Sequence, residues 1–599
     1  MRKLMFVSLV GILLLLSLAA SGQRSAIVAY TIHINPSDLS GFDIEMRFAA
    51  KNRMAQVAMA AHPEYDDKYW RYIENFTAQS DGARLPVTKA DNNVWQIDGI
   101  KRNVIVRYRL HLPPQENPNR DAWKPFLTAT GGMVGDLHSL MYVVDSGSAP
   151  ARLTIDMPIG WAAASGLEPT SDPKTFTGST ELMLDAPVMI GTFSDWKFTV
   201  GGVPHKVVMW SPQNAAVFDP KPLVDGVRRL AEQAIRTFGK PPYSHYVFLF
   251  QNGGEAALEH LTSVNIGHTF SNGMDGLFEE VAHEYFHAWN LMDVRPSERV
   301  GLRPQFAPPT GVLWWNEGAT IMFADYLLRR AGLPTSEPSR TKHLEVAMAR
   351  YFSSPGYVLL SGETASRGDT DPTVMGEYFA STHLQGELLS TMLDLMIRDK
   401  TDGRRNVADV MTRLSNRFDY RHGIANADIE RAALTVCPRC DILGFFKSHI
   451  YGAKQIEFER YLELIGMQLE ITRSPAIDDD GRPAVDLRIG PMQDPRQTDP
   501  SFRIRITNPQ SAWGKAGLHT GDRLLSVDGS PVASWPDLRA WLRNIKIGDV
   551  GRLEIVRDGT TRIVEVPIKG YDVPTVRIAA VANATPRQLR LRNAWTSAN

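Results

Sequence analysis

Two periodicities succeed each other along the chain. From about residue 27 to 195, apolar and polar residues alternate in short runs, as in Ile27-Val-Ala-Tyr-Thr-Ile-His-Ile-Asn35 and Val104-Ile-Val-Arg-Tyr-Arg-Leu-His-Leu112, the latter followed by Pro113-Pro114. Successive strand residues face opposite ways, so runs this short and rich in Val, Ile and Tyr predict a β-sandwich-like N-terminal domain. Lys206-Val-Val-Met-Trp210 reads as one more strand, and from Val224 to Phe238 the apolar positions recur at helical spacing. The pattern turns there from β to mixed α/β.

Between about 275 and 450 helical spacing dominates. One helix is expected from near Gly276 to Leu291, ending before Pro296. A second runs from Glu317 through Leu328 and stops at Arg329, Arg330, Gly332 and Pro334, a basic last turn with glycine and proline beyond it. A third covers about Tyr378 to Arg398 and closes at Gly403. Short strands return from about Tyr461 to Ile568 as a separate small domain.

At 599 residues the chain exceeds one hydrophobic core, and about 150 residues per domain gives roughly four domains. The fold class expected is multidomain α+β: a leader at 1–22, a β domain at 23–200, an α/β domain at 201–335, a helical domain at 336–458, a small β domain at 459–572 and a tail at 573–599. Hydrophobic residues make up 43% and charged residues 22%, as in ordinary globular proteins. Lysine plus arginine number 65 against 66 acids, so no basic field recommends nucleic acid as a partner. The arginines after Thr575 (Arg577, Arg587, Arg590, Arg592) read as a solvated or frayed tail.

Arg2 and Lys3 precede an apolar run from Leu4 to Ala20 and the small pair Ser21-Gly22, the order of a secretory signal. A run of about 17 residues falls short of the roughly 20 that span a bilayer. The expectation is an exported protein, periplasmic or secreted, with no stable membrane span. The two cysteines, Cys437 and Cys440, are expected to close a local disulfide; redox catalysis is the sharper alternative for this spacing.

The strongest chemical signal is Ala282-His283-Glu284-Tyr285-Phe286-His287 within a helical run. Four residues turn an α-helix by about 400°, so both imidazoles leave one face and can share an ion with bonds of about 2.0 to 2.1 Å. Glu284 then stands beside the open coordination position, where a carboxylate can take a proton from water and return it to the leaving amine. Thirty residues on, Trp314-Trp315-Asn316-Glu317-Gly318-Ala319-Thr320 places an acid where a second helix is expected to start. A catalytic zinc needs three protein ligands and one vacant place, so His283, His287 and Glu317 are assigned as ligands of one Zn²⁺ per chain.

These residues resemble a family. His283-Glu-Tyr-Phe-His-Ala-Trp-Asn290, Arg295-Pro296 and Trp315-Asn-Glu-Gly-Ala-Thr320 are similar to the glycyl aminopeptidases, and the likeness runs over almost the whole chain. It extends to Ile190-Gly-Thr-Phe193, Phe198 to His205, Gln385-Gly386 and Leu393 to Arg398. The resemblance implies a thermolysin-like α/β catalytic domain with a helical extension and a C-terminal PDZ domain. Gly253-Gly254-Glu255-Ala256-Ala257-Leu258-Glu259-His260 resembles the family's glycine-rich edge strand. On that reading Gly253 and Gly254 lay backbone amides against an extended peptide and Glu259 binds the substrate's α-ammonium. Ala257 stands where the family usually has glycine. Where the family carries the tyrosine of a Tyr-x-Lys-Gly motif, this chain reads His383-Leu384-Gln385-Gly386, so His383 replaces the oxyanion donor, with Tyr378 as a substitute.

Ala516-Gly517-Leu518-His519-Thr520-Gly521-Asp522 and Val527-Asp528-Gly529 resemble a PDZ domain of the bacterial protease type, with Leu464-Ile465-Gly466-Met467 as a candidate carboxylate loop for a peptide or chain terminus. The activity expected is removal of N-terminal residues from peptides, small ones such as Gly or Ala by the resemblance. Alternatives are a PDZ-assisted endopeptidase, or a peptide-binding protein whose catalysis is impaired by the loss of the tyrosine.

Overall fold

The computed structural model describes residues 27–60, 68–113, 121–302, 308–492 and 499–596. The leader expected at 1–22 lies outside them. The alternating N-terminal segment forms one eight-stranded and two four-stranded sheets around a shared core that includes Tyr30, Phe42, Val106 and Ile155. Along Asn103–His111 burial follows the predicted period of two, with Val104, Val106, Tyr108 and Leu110 inside.

The next sheet has five strands. In spatial order these are β1 (Phe193–Val200), β2 (Val203–Trp210), β3 (Tyr246–Asn252), β5 (Ser263–His268) and the edge strand β4 (Ala257–Glu259). β2, β3 and β5 are parallel, while both outer strands run antiparallel to their neighbours. The domain boundary expected at residue 200 therefore lies before Phe193. β1 and β2 are one hairpin, closed by Gly201 and Gly202, both at positive φ, so β1 is part of the catalytic sheet. Phe126, Met189, Trp210 and Leu249 form a small core along the seam with the N-terminal domain.

Beyond this sheet, helices take over: α1 (Lys221–Phe238), α2 (Leu277–Phe286), α3 (Thr320–Ala331), α4 (Arg340–Phe352) and α5 (Thr382–Thr401). One apolar core runs from β2 through these helices to Ile465, so the α/β and helical segments share a single interior. α5 is buried along most of its length and forms the spine of the helical part. It starts later than expected. Ser381 caps it by accepting from the Leu384 N–H, which leaves Tyr378 in the preceding segment and not on the helix.

The small domain has its own core around Ile504, Trp513, Leu553 and Ile555, with α6 (Trp535–Leu542) beside a four-stranded sheet. Its entering strand Met467–Pro475 pairs along its whole length with the leaving strand Asp572–Ala580. The candidate carboxylate loop at Leu464–Met467 is not open: the Ile465 and Gly466 amides donate to Leu462 and Glu463, and the Gly466 carbonyl accepts from Val581 and Arg592. The tail is not frayed either. Residues 586–596 form α7, whose Leu591 and Trp595 enter the large core, while Arg587 pairs with Asp399. Arg587 and Arg590 had read as solvated because their acidic partners, Asp399 and Asp402, lie about 190 residues away in sequence. Among the described residues no helix is long and apolar enough to cross a membrane. Cys437 and Cys440 are joined as a disulfide.

Candidate active site

The candidate metal-ligand residues come from two neighbouring helical segments. His283 and His287 lie one turn apart, His283 on α2 and His287 just past its last residue; their Nε2 atoms are 3.0 Å apart. Glu317 sits in a wide π turn, Trp314–Ala319, that leads into α3. It is thus inside a continuous helical run and not at a helix start as the sequence suggested. Its Oε2 lies 3.5 Å from His283 Nε2 and 3.3 Å from His287 Nε2. Two donors bonded to one zinc at about 2.0 to 2.1 Å stand roughly 3.4 Å apart in a tetrahedron. Two imidazole nitrogens and one carboxylate oxygen at this spacing fit zinc in chemistry and in size.

Asn290 organises this pair of helices, and the sequence reading assigned it no role. The helical run bends at Asn290 and Leu291, where φ turns to 128° at Leu291. The Asn290 carbonyl faces His287 Nδ1 at 2.9 Å, so Nδ1–H donates there and Nε2 is left with its lone pair toward the metal position. The Asn290 side-chain amide donates to the Trp315 carbonyl and to Thr320 Oγ1, while Asn316 donates back to Asn290 Oδ1. One asparagine thereby fixes a ligand's tautomer and locks the first ligand helix to the second. Its place three residues after His287 was the only signal the sequence offered.

α5 crosses the π turn of Glu317 at glycine on glycine. A Cβ on Gly318 would lie 2.3 Å from the Gly386 Cα, and one on Gly386 would lie 2.1 Å from the Trp314 carbonyl oxygen. This approach brings His383, in the first turn of α5, to the site: its Nε2 is 3.2 Å from Glu317 Oε2 and its ring is stacked over His283 at 6.1 Å between centroids. His383 is 41% exposed, whereas Glu317 and His287 are buried, so it borders the open side.

The fourth wall is the edge strand β4. The donor atoms of Glu259, Glu284 and His287 all lie within 4.8 Å of one another. Gly253 and Gly254 play a different part from the one expected. The Gly253 N–H donates to His268 and the Gly254 N–H to Gln251, so their amides are spent in the turn ahead of β4 and do not face an incoming peptide. The glycines shape the turn, with Gly253 at φ 85°, and β4 itself supplies the sheet edge.

The site's electrostatics follow from burial and crowding of acids. Burial, and next the charge of Glu259, push the Glu284 carboxyl well above the usual carboxylate range. Burial also raises Glu317, but His287 and the imidazoles of His283 and His383 crowded against its carboxylate outweigh it and hold Glu317 well below that range. Burial, with His287 beside it, lowers His283 to about 4.

Comparison with known proteins agrees. Residues 29–192 match the Peptidase M61 N-terminal domain, residues 277–386 the M61 glycyl aminopeptidase domain and residues 465–568 a PDZ domain. No curated protein matches the chain in a sequence search. Among solved structures, an aminopeptidase N family protein from Idiomarina loihiensis superposes with a TM-score of 0.72 at 20% identity, covering 95% of this chain and 100% of its own, which shows the fold. An M1 zinc metallopeptidase from Deinococcus radiodurans reaches a TM-score of 0.47 at 15% identity over 73% of this chain and 96% of its own. Fold, donor set and family match together define a zinc metallo-aminopeptidase. More narrowly, the chain matches both domain models of the M61 glycyl aminopeptidases, in order along the sequence, with a match to a PDZ domain after them.

Proposed function

We propose that the protein removes single N-terminal residues, small ones such as glycine or alanine, from peptides outside the cytoplasm. The observation that carries the exopeptidase reading is Glu259: an acid at the end of an edge strand, its carboxylate within 4.8 Å of the Glu284 carboxylate and a zinc-ligand imidazole. A peptide extending β4 would bring its free α-ammonium to Glu259, and the bond after the first residue would then face Glu284. The small-residue preference rests on the family description. Export is supported by the charged, apolar and small-residue order of residues 1–22 and by the Cys437–Cys440 disulfide.

His283, His287 and Glu317 would hold the zinc, which would supply Lewis acidity toward the scissile carbonyl and toward a water molecule. Glu284 takes a proton from that water and passes it to the leaving amine. Glu259 neutralises the α-ammonium and orients the peptide, and the bound ammonium in turn relieves the repulsion between Glu259 and Glu284. His383, at the open side of the site, donates an N–H to the oxyanion that forms as the carbonyl is attacked.

Matched peptides with free and acetylated N-termini test the reading. The free peptide is expected to lose one residue at a time while the acetylated one is left intact. Internal cleavage of both at similar rates would make the protein an endopeptidase, and binding of the free peptide without cleavage would make it a peptide-binding protein.

A further inference from the structure

The PDZ domain touches the catalytic part at a telling place, the segment 376–381 that leads into α5 and therefore into His383. Glu377 reaches into the turn between Gly517 and Gly521: its Oε2 accepts from the Thr520 backbone N–H at 3.2 Å and its Oε1 is 2.9 Å from His519 Nδ1. Two residues on, Arg505 of the PDZ strand Ile504–Ile506 lays its guanidinium on the Phe379 ring, 4.1 Å from the centroid. Arg505 is partly buried and its Nε has no hydrogen-bond partner, so the ring face stands in for the water the cation has lost. On its other side the segment is pressed against 354–357: Ser354 Oγ donates to the Phe379 carbonyl, the Ser381 N–H donates to Tyr357 Oη, and a Cβ on Gly356 would meet the Phe379 carbonyl oxygen at 2.0 Å.

The segment is thus gripped from both sides immediately before the cap residue Ser381, and His383 follows two residues later, in a helix turn too short to absorb a displacement. The PDZ domain is held in place for this by the paired strands Met467–Pro475 and Asp572–Ala580, and Arg473 and Arg488 donate to the Phe352 and Ser353 carbonyls at the end of α4. That same strand pairing and the closed loop at Leu464–Met467 leave this part of the domain committed within the chain.

We infer that the PDZ domain is an intramolecular clamp for the catalytic site, with Glu377 and Arg505 as positioning residues that set His383 against the oxyanion. The inference rests on the reading of His383 given above. A misplacement of about 1 Å at a catalytic group lowers rates by up to about 100-fold, so releasing the clamp acts on turnover more than on binding.

The test uses the full-length zinc-loaded protein and glycyl p-nitroanilide, with Arg505→Ala, Arg505→Lys, Glu377→Ala and His383→Phe, alone and with His383→Phe added to each clamp variant. Arg505→Ala and Glu377→Ala are expected to lower kcat roughly tenfold or more with KM and zinc content within about twofold of wild type, and Arg505→Lys to restore most of kcat. Amide exchange over 376–384 is expected to rise in the alanine variants while that of α2 is unchanged. In the His383→Phe background the same alanine substitutions change kcat by less than about twofold, because what they position is gone. Wild-type kcat in both alanine variants would overturn the clamp, as would an equal loss with and without His383. Wild-type turnover in His383→Phe alone would instead remove the oxyanion role from His383.

Discussion

Glu284→Gln keeps the shape of the side chain and removes the base. Turnover is expected to fall by about 10² to 10⁴ while zinc is retained, read by kinetics alongside metal analysis of the same preparation. Glu259→Gln, by contrast, is expected to raise KM for free-amine peptides and to shrink their preference over acetylated ones, measured on matched pairs. At this scale the sequence was legible wherever chemistry dictates spacing: His283 and His287 meet as the helical repeat required, and Glu317 and Glu284 stand beside them. Asn290 was opaque because its role depends on a helix breaking at that residue, which periodicity does not register. Gly253 and Gly254 misled for a related reason. A glycine pair signals an unusual backbone, but only the fold shows where each N–H goes.

The elements that bear the site meet at Gly318 and Gly386. Either glycine replaced by alanine forces a Cβ into backbone at 2.1 to 2.3 Å, so Gly318→Ala and Gly386→Ala are each expected to cost about 1 to 3 kcal/mol and to lower kcat by parting Glu317 from His383. Chemical denaturation and kinetics on the same variants check both effects. A second pair of helices is tied by His343 of α4 and Glu387 of α5. Burial opposes protonation of His343, but Glu387 wins and raises it from 6.5 to about 9. Its contribution is then fully present below about pH 6.5 and is lost as pH rises through about 9, worth about 2 kcal/mol after solvent screening. The stability gap between wild type and His343→Gln is expected to be wide at pH 6 and closed by pH 10; a gap that does not narrow would contradict this. The helices themselves were readable from apolar spacing, yet their starts were not. α5 begins at the Ser381 cap and not at Tyr378, and the second ligand helix begins before Glu317, because tertiary contacts decide where a helical run is entered.

Across the whole molecule, the order of domains followed from the change of period along the chain, while the way they are bound together did not. Trp595 and Leu591 close the large core from the far end of the sequence, and Arg340 lies over the Trp595 ring at 4.9 Å while donating to its carbonyl. Trp595→Ala is expected to destabilise by about 3 to 5 kcal/mol, seen as a lower denaturant midpoint, without changing the zinc ligands. Such long-range partners carry no local signature, and this is why Arg587 and Arg590 near the chain end looked like purely solvated residues. The central claim is that one zinc site with Glu284 as base hydrolyses N-terminal residues. It is tested most directly by glycyl and alanyl p-nitroanilide hydrolysis with the purified protein, with Glu284→Gln beside it and with metal stripped by chelator and then returned. Turnover that disappears on stripping, returns with stoichiometric zinc and is absent from Glu284→Gln is the predicted result. A stripped protein that turns over as before, or a Glu284→Gln protein at the wild-type rate, would contradict it.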